Sequence, residues 1–386
     1  MSVVFDRPSV WHRLRPVVTG FDGPLALAMF LLAAIGLVTM YSAGYDHGTR
    51  FVDHARNMVL ALMVLFVVAQ VPPQKLQRLA VPLYVIGVVL LVVTALPGVG
   101  ITKKGATRWL NVGVVIQPSE ILKIATPLML AWWFQRREGQ VRVMDFLIAA
   151  GLLLLPVGLV IKQPDLGTAL LILFGGFYVI FFAGLSWRLV LPVLALGAVG
   201  IVALIVAEPT ICEPGVDWRV LREYQKHRVC TLLDPTQDPL GKGFHIIQGM
   251  IAIGSGGLTG KGFMSGTQTH LEFIPERTTD FIFAAFCEEF GLAGAVVLLL
   301  ALLFFIGRGL MIAADAPTAF ARLLAGAVTM SVFTYAFVNM GMVSGILPVV
   351  GVPLPFVSYG GTAMVMLGLG LGILMSVARS RQLMRS

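Results

Sequence analysis

Residues 271–290 read Leu-Glu-Phe-Ile-Pro-Glu-Arg-Thr-Thr-Asp-Phe-Ile-Phe-Ala-Ala-Phe-Cys-Glu-Glu-Phe. Six ionisable side chains, Glu272, Glu276, Arg277, Asp280, Glu288 and Glu289, stand where a polar loop turns into an apolar helix. Charge at a membrane boundary is costly unless it is paired, hydrated or used. Asp280 is the sharpest of the six. Polar Thr278 and Thr279 precede it, and the apolar run Phe281–Phe286 follows. A carboxylate at the lip of a membrane helix can act as a general base on a substrate anchored in lipid. Capping the helix is its plainer alternative use.

Arg108-Trp109 together with Gln117-Pro118-Ser119-Glu120 and Lys123 forms a second cluster. Glu120 and Lys123 are three apart, on one face of a helix that Pro118 and Ser119 can start. They can simply pair with each other, or the cation can face a pyrophosphate from within the bundle. Asp165 is the third element. It follows Pro164 and precedes Leu166-Gly167-Thr168, so it can cap the next helix or join a site. Gly254–Gly262 resembles a phosphate-cradling loop but fails that pattern twice. Ser255 holds the first glycine position, and Gly262 follows Lys261 where Ser or Thr is required. A loop whose Lys261 meets a lipid or substrate phosphate is the expectation. Pro348, Pro353 and Pro355 lead into Phe356-Val357-Ser358-Tyr359-Gly360-Gly361-Thr362. Such broken backbone at membrane depth must be buried in protein or line a polar cavity. No charge lies between Arg322 and Arg379, so this segment shapes or gates rather than catalyses.

These residues need a membrane scaffold, and the composition supplies one. Mean hydropathy is +0.88, and charged residues make up 12% against about 25% in soluble domains. A span needs roughly 20 apolar residues. Ten segments qualify: about 24–44, 57–72, 80–98, 119–135, 144–162, 167–185, 188–207, 281–306, 320–343 and 361–378. The expected fold is an all-α polytopic bundle, one integral membrane domain over 1–386. The span at 281–306 is expected to begin late, because Glu288 and Glu289 suit an outer extension better than bilayer core. With ten spans both termini share a side, and that side carries fourteen Lys and Arg against seven in the opposite short loops and span ends. The termini, 1–22 and 379–386, are therefore expected in the cytoplasm.

The net charge of +8 reflects this bias and contact with anionic lipid. No basic patch is interleaved with exposed aromatics, so nucleic acid is not an expected partner. The first apolar run is long enough to span, and no small-residue cleavage site follows it. No His, Cys or Asp spacing suggests a metal, and no histidine falls in the middle of an expected span. Cys212 and Cys230 share the segment 208–280 and can be two free thiols or a disulfide. That segment is too long to be a passive connector. Within it, Trp218–Leu233 has the spacing of an interfacial helix, and Ile246–Ile253 is an apolar run too short to span. Residues 99–118 form a Gly-rich, basic loop on the same side as Asp280.

Taken together, these motifs resemble the SEDS family (shape, elongation, division and sporulation). The resemblance rests on Gly105-Ala106-Thr107-Arg108-Trp109, Gln117-Pro118-Ser119-Glu120, Gln163-Pro164-Asp165-Leu166-Gly167-Thr168-Ala169 and Asp238-Pro239-Leu240-Gly241. It also rests on Ile251–Gly257, Pro275–Phe281 and the signature from Asn339 through Gly345, Pro348 and Gly351 to Ser358–Ala363. It covers the chain from about residue 22. His245-Ile246-Ile247-Gln248 and Pro-Glu-Arg before Thr-Thr-Asp favour the rod-shape branch over the division branch.

The resemblance implies a peptidoglycan glycosyltransferase of the bacterial inner membrane, with its site on the periplasmic side. It would polymerise lipid II onto an undecaprenyl-pyrophosphate-linked glycan, with a class B penicillin-binding protein, a transpeptidase, as partner. The segment 208–280 becomes a periplasmic loop. Family catalysis maps to Asp280. Lys123 and Arg108 are then the foremost candidates for the pyrophosphate, with Arg277 and Lys261 next. Gln117, Glu120, Asp165, Glu276 and Ser358 complete the expected substrate-binding set. A divalent cation, Mg or Mn, could share the work through Glu120 or Asp165. A lipid II flippase is the alternative function, as is the division-specific relative. A flippase should line a path across the whole bilayer with polar groups, whereas here they gather at one side.

Overall fold

The computed structural model describes residues 21–46, 48–96, 98–103, 106–111, 113, 115–213, 216, 223–238, 241–274 and 276–385. Ten long helices coincide with the ten apolar segments. In chain order they are α1 (Gly23–Ala43), α2 (Arg50–Ala69), α3 (Pro73–Thr94), α4 (Pro118–Gln135), α5 (Val143–Lys162), α6 (Leu166–Phe182) and α7 (Trp187–Ile211), then, after three shorter helices, α11 (Ile282–Ala314), α12 (Ala319–Val343) and α13 (Gly361–Arg385). The shorter three are α8 (Glu223–Leu233), α9 (Lys242–Ser255) and α10 (Thr267–His270). Eight of the ten are long and apolar enough to cross a membrane. Of the other two, α6 has 17 residues and α4 carries Glu120 and Lys123 in its first two turns. The chain is a multi-pass membrane protein.

Helix α12 is the hub. Two-thirds of its apolar stretch is buried, and it contributes to both large hydrophobic clusters. One cluster joins α1, α11, α12 and α13, and the other joins α3, α4, α5, α6 and α12. Helix α7 is the opposite extreme. It is apolar on every side, yet Val190 is its one buried residue. A helix hydrophobic all round but unburied by protein is one that faces lipid. A disulfide between Cys212 and Cys230 ties its end to α8, so the pairing left open by the sequence is closed here.

Three features depart from the sequence expectation. The basic loop 99–118 contains three short antiparallel strands in the order β1-β2-β3: β1 (Ile101–Lys103), β2 (Ala106–Asn111) and β3 (Val115–Ile116). Alternation over so few residues is hidden by the neighbouring glycines. Helices α2 and α3 each begin seven residues before their expected spans, at Arg50 rather than 57 and at Pro73 rather than 80, and α2 therefore contains His54, which is fully buried. Helix α9 does more than lie at an interface. Its Gly249 packs on Phe281, where an added Cβ would stand 3.2 Å from the ring.

The expected late start of the α11 span takes the form of a break. Gly291 has φ 62° and ψ −162°, which separates the turns bearing Glu288 and Glu289 from the span proper. Breaking a helix orphans backbone groups on both sides. The Gly254–Gly262 loop supplies their partners. Leu292 and Ala293 N–H donate to the carbonyls of Gly257 and Leu258, each at 2.9 Å. Lys261 and Gly262 N–H donate to the carbonyls of Glu288 and Glu289, each at 3.0 Å. Only glycine fits, because a Cβ on Gly291 would lie 2.3 Å from the Gly260 nitrogen. The glycine-rich loop is a splint for a broken helix. For Trp218–Leu233, the described part is helical from Glu223, and residues 217–222 lie outside the described residues.

Candidate active site at one end of the bundle

Asp280 sits in the turn that starts α11, and its backbone is fastened rung by rung to the C-terminal part of the chain. The Thr278 carbonyl accepts from Tyr359 N–H at 2.8 Å. The Thr279 carbonyl accepts from the Ser358 hydroxyl at 2.7 Å. The Asp280 carbonyl accepts from the Asn339 amide at 3.0 Å. Ser358 Oγ in turn accepts from Leu354 N–H at 2.8 Å, which closes the proline-rich segment on itself. The broken backbone expected to shape the site thus holds two successive carbonyls of the Asp280 turn, and Asn339 of α12 holds the third. Gly351, with φ 73°, brings its backbone beside the carboxylate. A Cβ there would stand 3.4 Å from Asp280 Oδ2.

The same segment touches the start of α6. A Cβ on Gly167 would lie 2.6 Å from the Val350 carbonyl oxygen. Asp165, two residues earlier, caps α6 through Thr168 N–H at 3.3 Å. It is also the centre of a polar cluster. Gln117 Nε2 donates to its Oδ2 at 3.1 Å, and Arg108 Nη1 lies 3.5 Å from the same oxygen. Arg108 further donates to the carbonyls of Gln163 at 3.3 Å and Pro164 at 2.5 Å. The capping and cluster readings of Asp165 hold together. Gln163 anchors the turn by donating to the Leu91 carbonyl at 3.2 Å.

Lys123 and Glu120 form a buried pair on α4, 2.7 Å apart. Lys123 also lies 5.5 Å from the centre of the Tyr335 ring on α12. Both line a cavity of about 70 Å³ bounded by Ser358, Pro353 and Leu354 above and by Val328 and Leu371 below. Glu120 Oε2 is buried and has no hydrogen-bond partner among the described residues. The proline-rich segment therefore borders Asp280, the start of the helix that Asp165 caps, and the cavity that Lys123 lines.

The remaining candidates are engaged elsewhere. Arg277 is buried, donates to the Ala43 carbonyl at 3.0 Å and pairs with Asp46. Its charge fastens the end of α1 instead of facing the Asp280 turn. Lys261 pairs with buried Glu288 at 2.7 Å and reaches Thr267 Oγ1 at 2.6 Å. Glu276 is exposed and accepts from the Thr279 hydroxyl at 2.9 Å, bracing the turn. Glu120 and Asp165, the two carboxylates considered for a divalent cation, are each matched by a cation of the chain. Among the described residues, no three His, Cys, Asp or Glu converge to hold a metal ion. Asn339, Tyr335 and Gln163 are the site residues that sequence reasoning did not assign. Asn339 opens the signature, and a buried amide on an apolar helix is the cue that could have found it.

A family model described as "Cell cycle protein" (FtsW/RodA/SpoVE) matches residues 24–383. The peptidoglycan glycosyltransferase MrdB of Escherichia coli (strain K12) is 46% identical over 361 residues, 93% of this chain and 94% of that protein. The solved rod shape determining protein RodA of Thermus thermophilus has a TM-score of 0.67 at 29% identity, covering 94% of this chain and 97% of that one. A second solved structure reports the "structural coordination of polymerization and crosslinking by a peptidoglycan synthase complex". It has a TM-score of 0.75 at 33% identity, covering 94% of this chain and 98% of that one. Sequence motifs, helix order and chain-long similarity agree, and the chain belongs to the FtsW/RodA/SpoVE family of cell cycle proteins.

Proposed function

We propose that this protein is the peptidoglycan glycosyltransferase of cell elongation, polymerising lipid II into β-1,4-linked glycan with Asp280 as general base. The activity class follows from a relative of that name at 46% identity over nearly its whole length. The rod-shape branch is favoured over the division branch by the motifs around His245 and Arg277, and by similarity to a RodA structure. The observation that carries the mechanism is the Asp280 turn. Its backbone is held by three donors while the Gly351 backbone, with no side chain, passes beside the carboxylate.

The acceptor is the GlcNAc 4-hydroxyl of lipid II. Its oxygen attacks the anomeric carbon of the MurNAc α-linked to undecaprenyl pyrophosphate. Asp280 takes the hydroxyl proton, the bond to pyrophosphate breaks, and the anomeric centre inverts. Cations neutralise the leaving group. Arg108 is the accessible one, its side chain a quarter exposed, whereas Lys123 waits at the cavity end. The lipid tails of both substrates keep them in the bilayer, which concentrates and orients them.

The Lys and Arg distribution supports cytoplasmic termini and a periplasmic site. A class B penicillin-binding protein, a transpeptidase, is the proposed partner. The similarity to a component of a peptidoglycan synthase complex supports it. A flippase is less well supported, because Lys123 is the one charged residue among those lining the cavity, whose far wall is Val328, Ser331, Met366 and Leu371.

The test is Asp280→Asn, purified with its partner and given lipid II. The substitution keeps the shape and one acceptor oxygen but removes basicity. Glycan synthesis should fall by about 10²–10⁴-fold, the usual share of general-base catalysis, with fold and partner binding intact. A stable variant with near-normal polymerisation would return Asp280 to a capping role.

A further inference from the structure

We propose that Asn339 is the positioning residue for Asp280, an inference that rests on Asp280 being the general base. Asn339 lies near the end of α12 and is wholly buried. A carboxamide carries two N–H donors on one nitrogen. Here Nδ2 contacts two carbonyls, that of Asp280 at 3.0 Å and that of Val352 at 2.8 Å. Val352 follows Gly351, the residue whose backbone borders the Asp280 carboxylate. The amide therefore couples the peptide that bears the carboxylate to the turn that flanks it.

The two neighbouring rungs do not duplicate this function. Tyr359 N–H and the Ser358 hydroxyl hold the carbonyls of Thr278 and Thr279, upstream of Asp280. Asn339 holds the Asp280 carbonyl itself. Without it that peptide keeps only the bond from Phe281 N–H to the Glu276 carbonyl, at 3.2 Å, and loses its tie to the turn at Gly351. A hydroxyl offers one donor and cannot bridge both carbonyls, and an ammonium would add a charge.

Space-filling is the rival explanation, and the free oxygen argues against it. Asn339 Oδ1 is buried with no hydrogen-bond partner among the described residues. An unmet buried acceptor is a standing cost. An apolar side chain of similar volume would fill the space without that cost, so the amide is best explained by its two-way bridge.

The test uses the full-length protein purified with its transpeptidase partner and assayed on lipid II. Asn339→Ala should lower kcat by about 10²-fold, the usual effect of moving a catalytic group by about 1 Å, with KM for lipid II little changed. Asn339→Asp, equal in shape but with at most one O–H donor once its buried carboxyl is protonated, should show the same loss of kcat. A packing role would leave kcat intact in this isosteric variant. Should Asn339→Ala fail to fold, Asn339→Ser, which can reach only one carbonyl, serves instead with the same expected loss. Asp280→Asn is assayed in parallel. A folded Asn339 variant with wild-type kcat, beside an inactive Asp280→Asn, overturns the inference and leaves the general base standing. Near-normal Asp280→Asn removes both.

Discussion

Arg277 stands three residues before Asp280, yet its guanidinium turns away to pair with Asp46 and to reach the Ala43 carbonyl at 3.0 Å. Tyr45 lies under the same guanidinium, 5.6 Å from ring centre to Cζ, and its hydroxyl donates to the His270 carbonyl at 2.8 Å. One arginine thus locks the end of α1 to the approach of the Asp280 turn. A cation that sequence order places next to Asp280 is committed to the scaffold.

Arg277→Met is accordingly expected to act on stability. Removing one partner of a buried pair costs about 3–5 kcal/mol, and partly exposed Asp46 puts this case near 3 kcal/mol. Thermal unfolding in detergent should show the loss, while KM for lipid II is unchanged in the molecules that remain folded. A raised KM with an unchanged melting temperature would return Arg277 to the substrate.

Lys123 is expected to matter for turnover. Lys123→Ala should cut polymerisation strongly, and Lys123→Arg should recover only part, because a planar fork does not replace a compact ammonium. Lys123→Ala also strands Glu120, so stability must be separated from chemistry. The double variant Lys123→Met, Glu120→Gln removes both charges and should fold well yet stay slow. Normal polymerisation by the double variant would confine the pair to a structural role.

Lys261→Gln should leave the enzyme active. Glu288 keeps four other donors, from Thr267 Oγ1 at 3.2 Å, Gln268 N–H at 2.8 Å, and Thr269 N–H and Oγ1 at 3.0 and 2.9 Å. The loss of the charged one should cost about 1–3 kcal/mol of stability. Binding of a pyrophosphate-bearing lipid, measured by titration, should not weaken. A tenfold drop in that affinity would show that Lys261 meets substrate after all.

Cys212 and Cys230 should resist alkylation until reductant is added, as read by intact mass. Replacing both with serine removes the cross-link between α7 and α8, 18 residues apart in sequence. Loops of that size are worth about 3 kcal/mol in the chain-entropy account. Because α7 buries only Val190, the loss should appear first as faster protease cleavage between α7 and α8. Labelling of both thiols without reductant would exclude the bond.

Much of this protein could be read from its residues alone. Runs of apolar side chains must be removed from water, so they located ten helices to within a few residues at most ends. The Glu288-Glu289 pair announced the late start of the α11 span, because two carboxylates are too costly for bilayer core, but not the break at Gly291. Asp280, Glu120 with Lys123, and Asp165 were singled out for the same reason: charge beside apolar sequence demands a partner or a use. Local pairing at three residues' spacing and capping at an N-terminus depend on neighbours in the chain, so they too were legible.

Only the tertiary structure decided which charges face one another across the bundle. Arg277 and Asp46 are 231 residues apart, and nothing in the spacing of either names the other. Lys261 looked like a free phosphate ligand until its loop folded back on the Gly291 break and met Glu288. Asn339 reads as a polar residue on an apolar helix, and its task is set by two carbonyls from distant segments. Which partner ends a buried group's need for charge or hydrogen bonding is settled by packing, and packing is a property of the whole bundle.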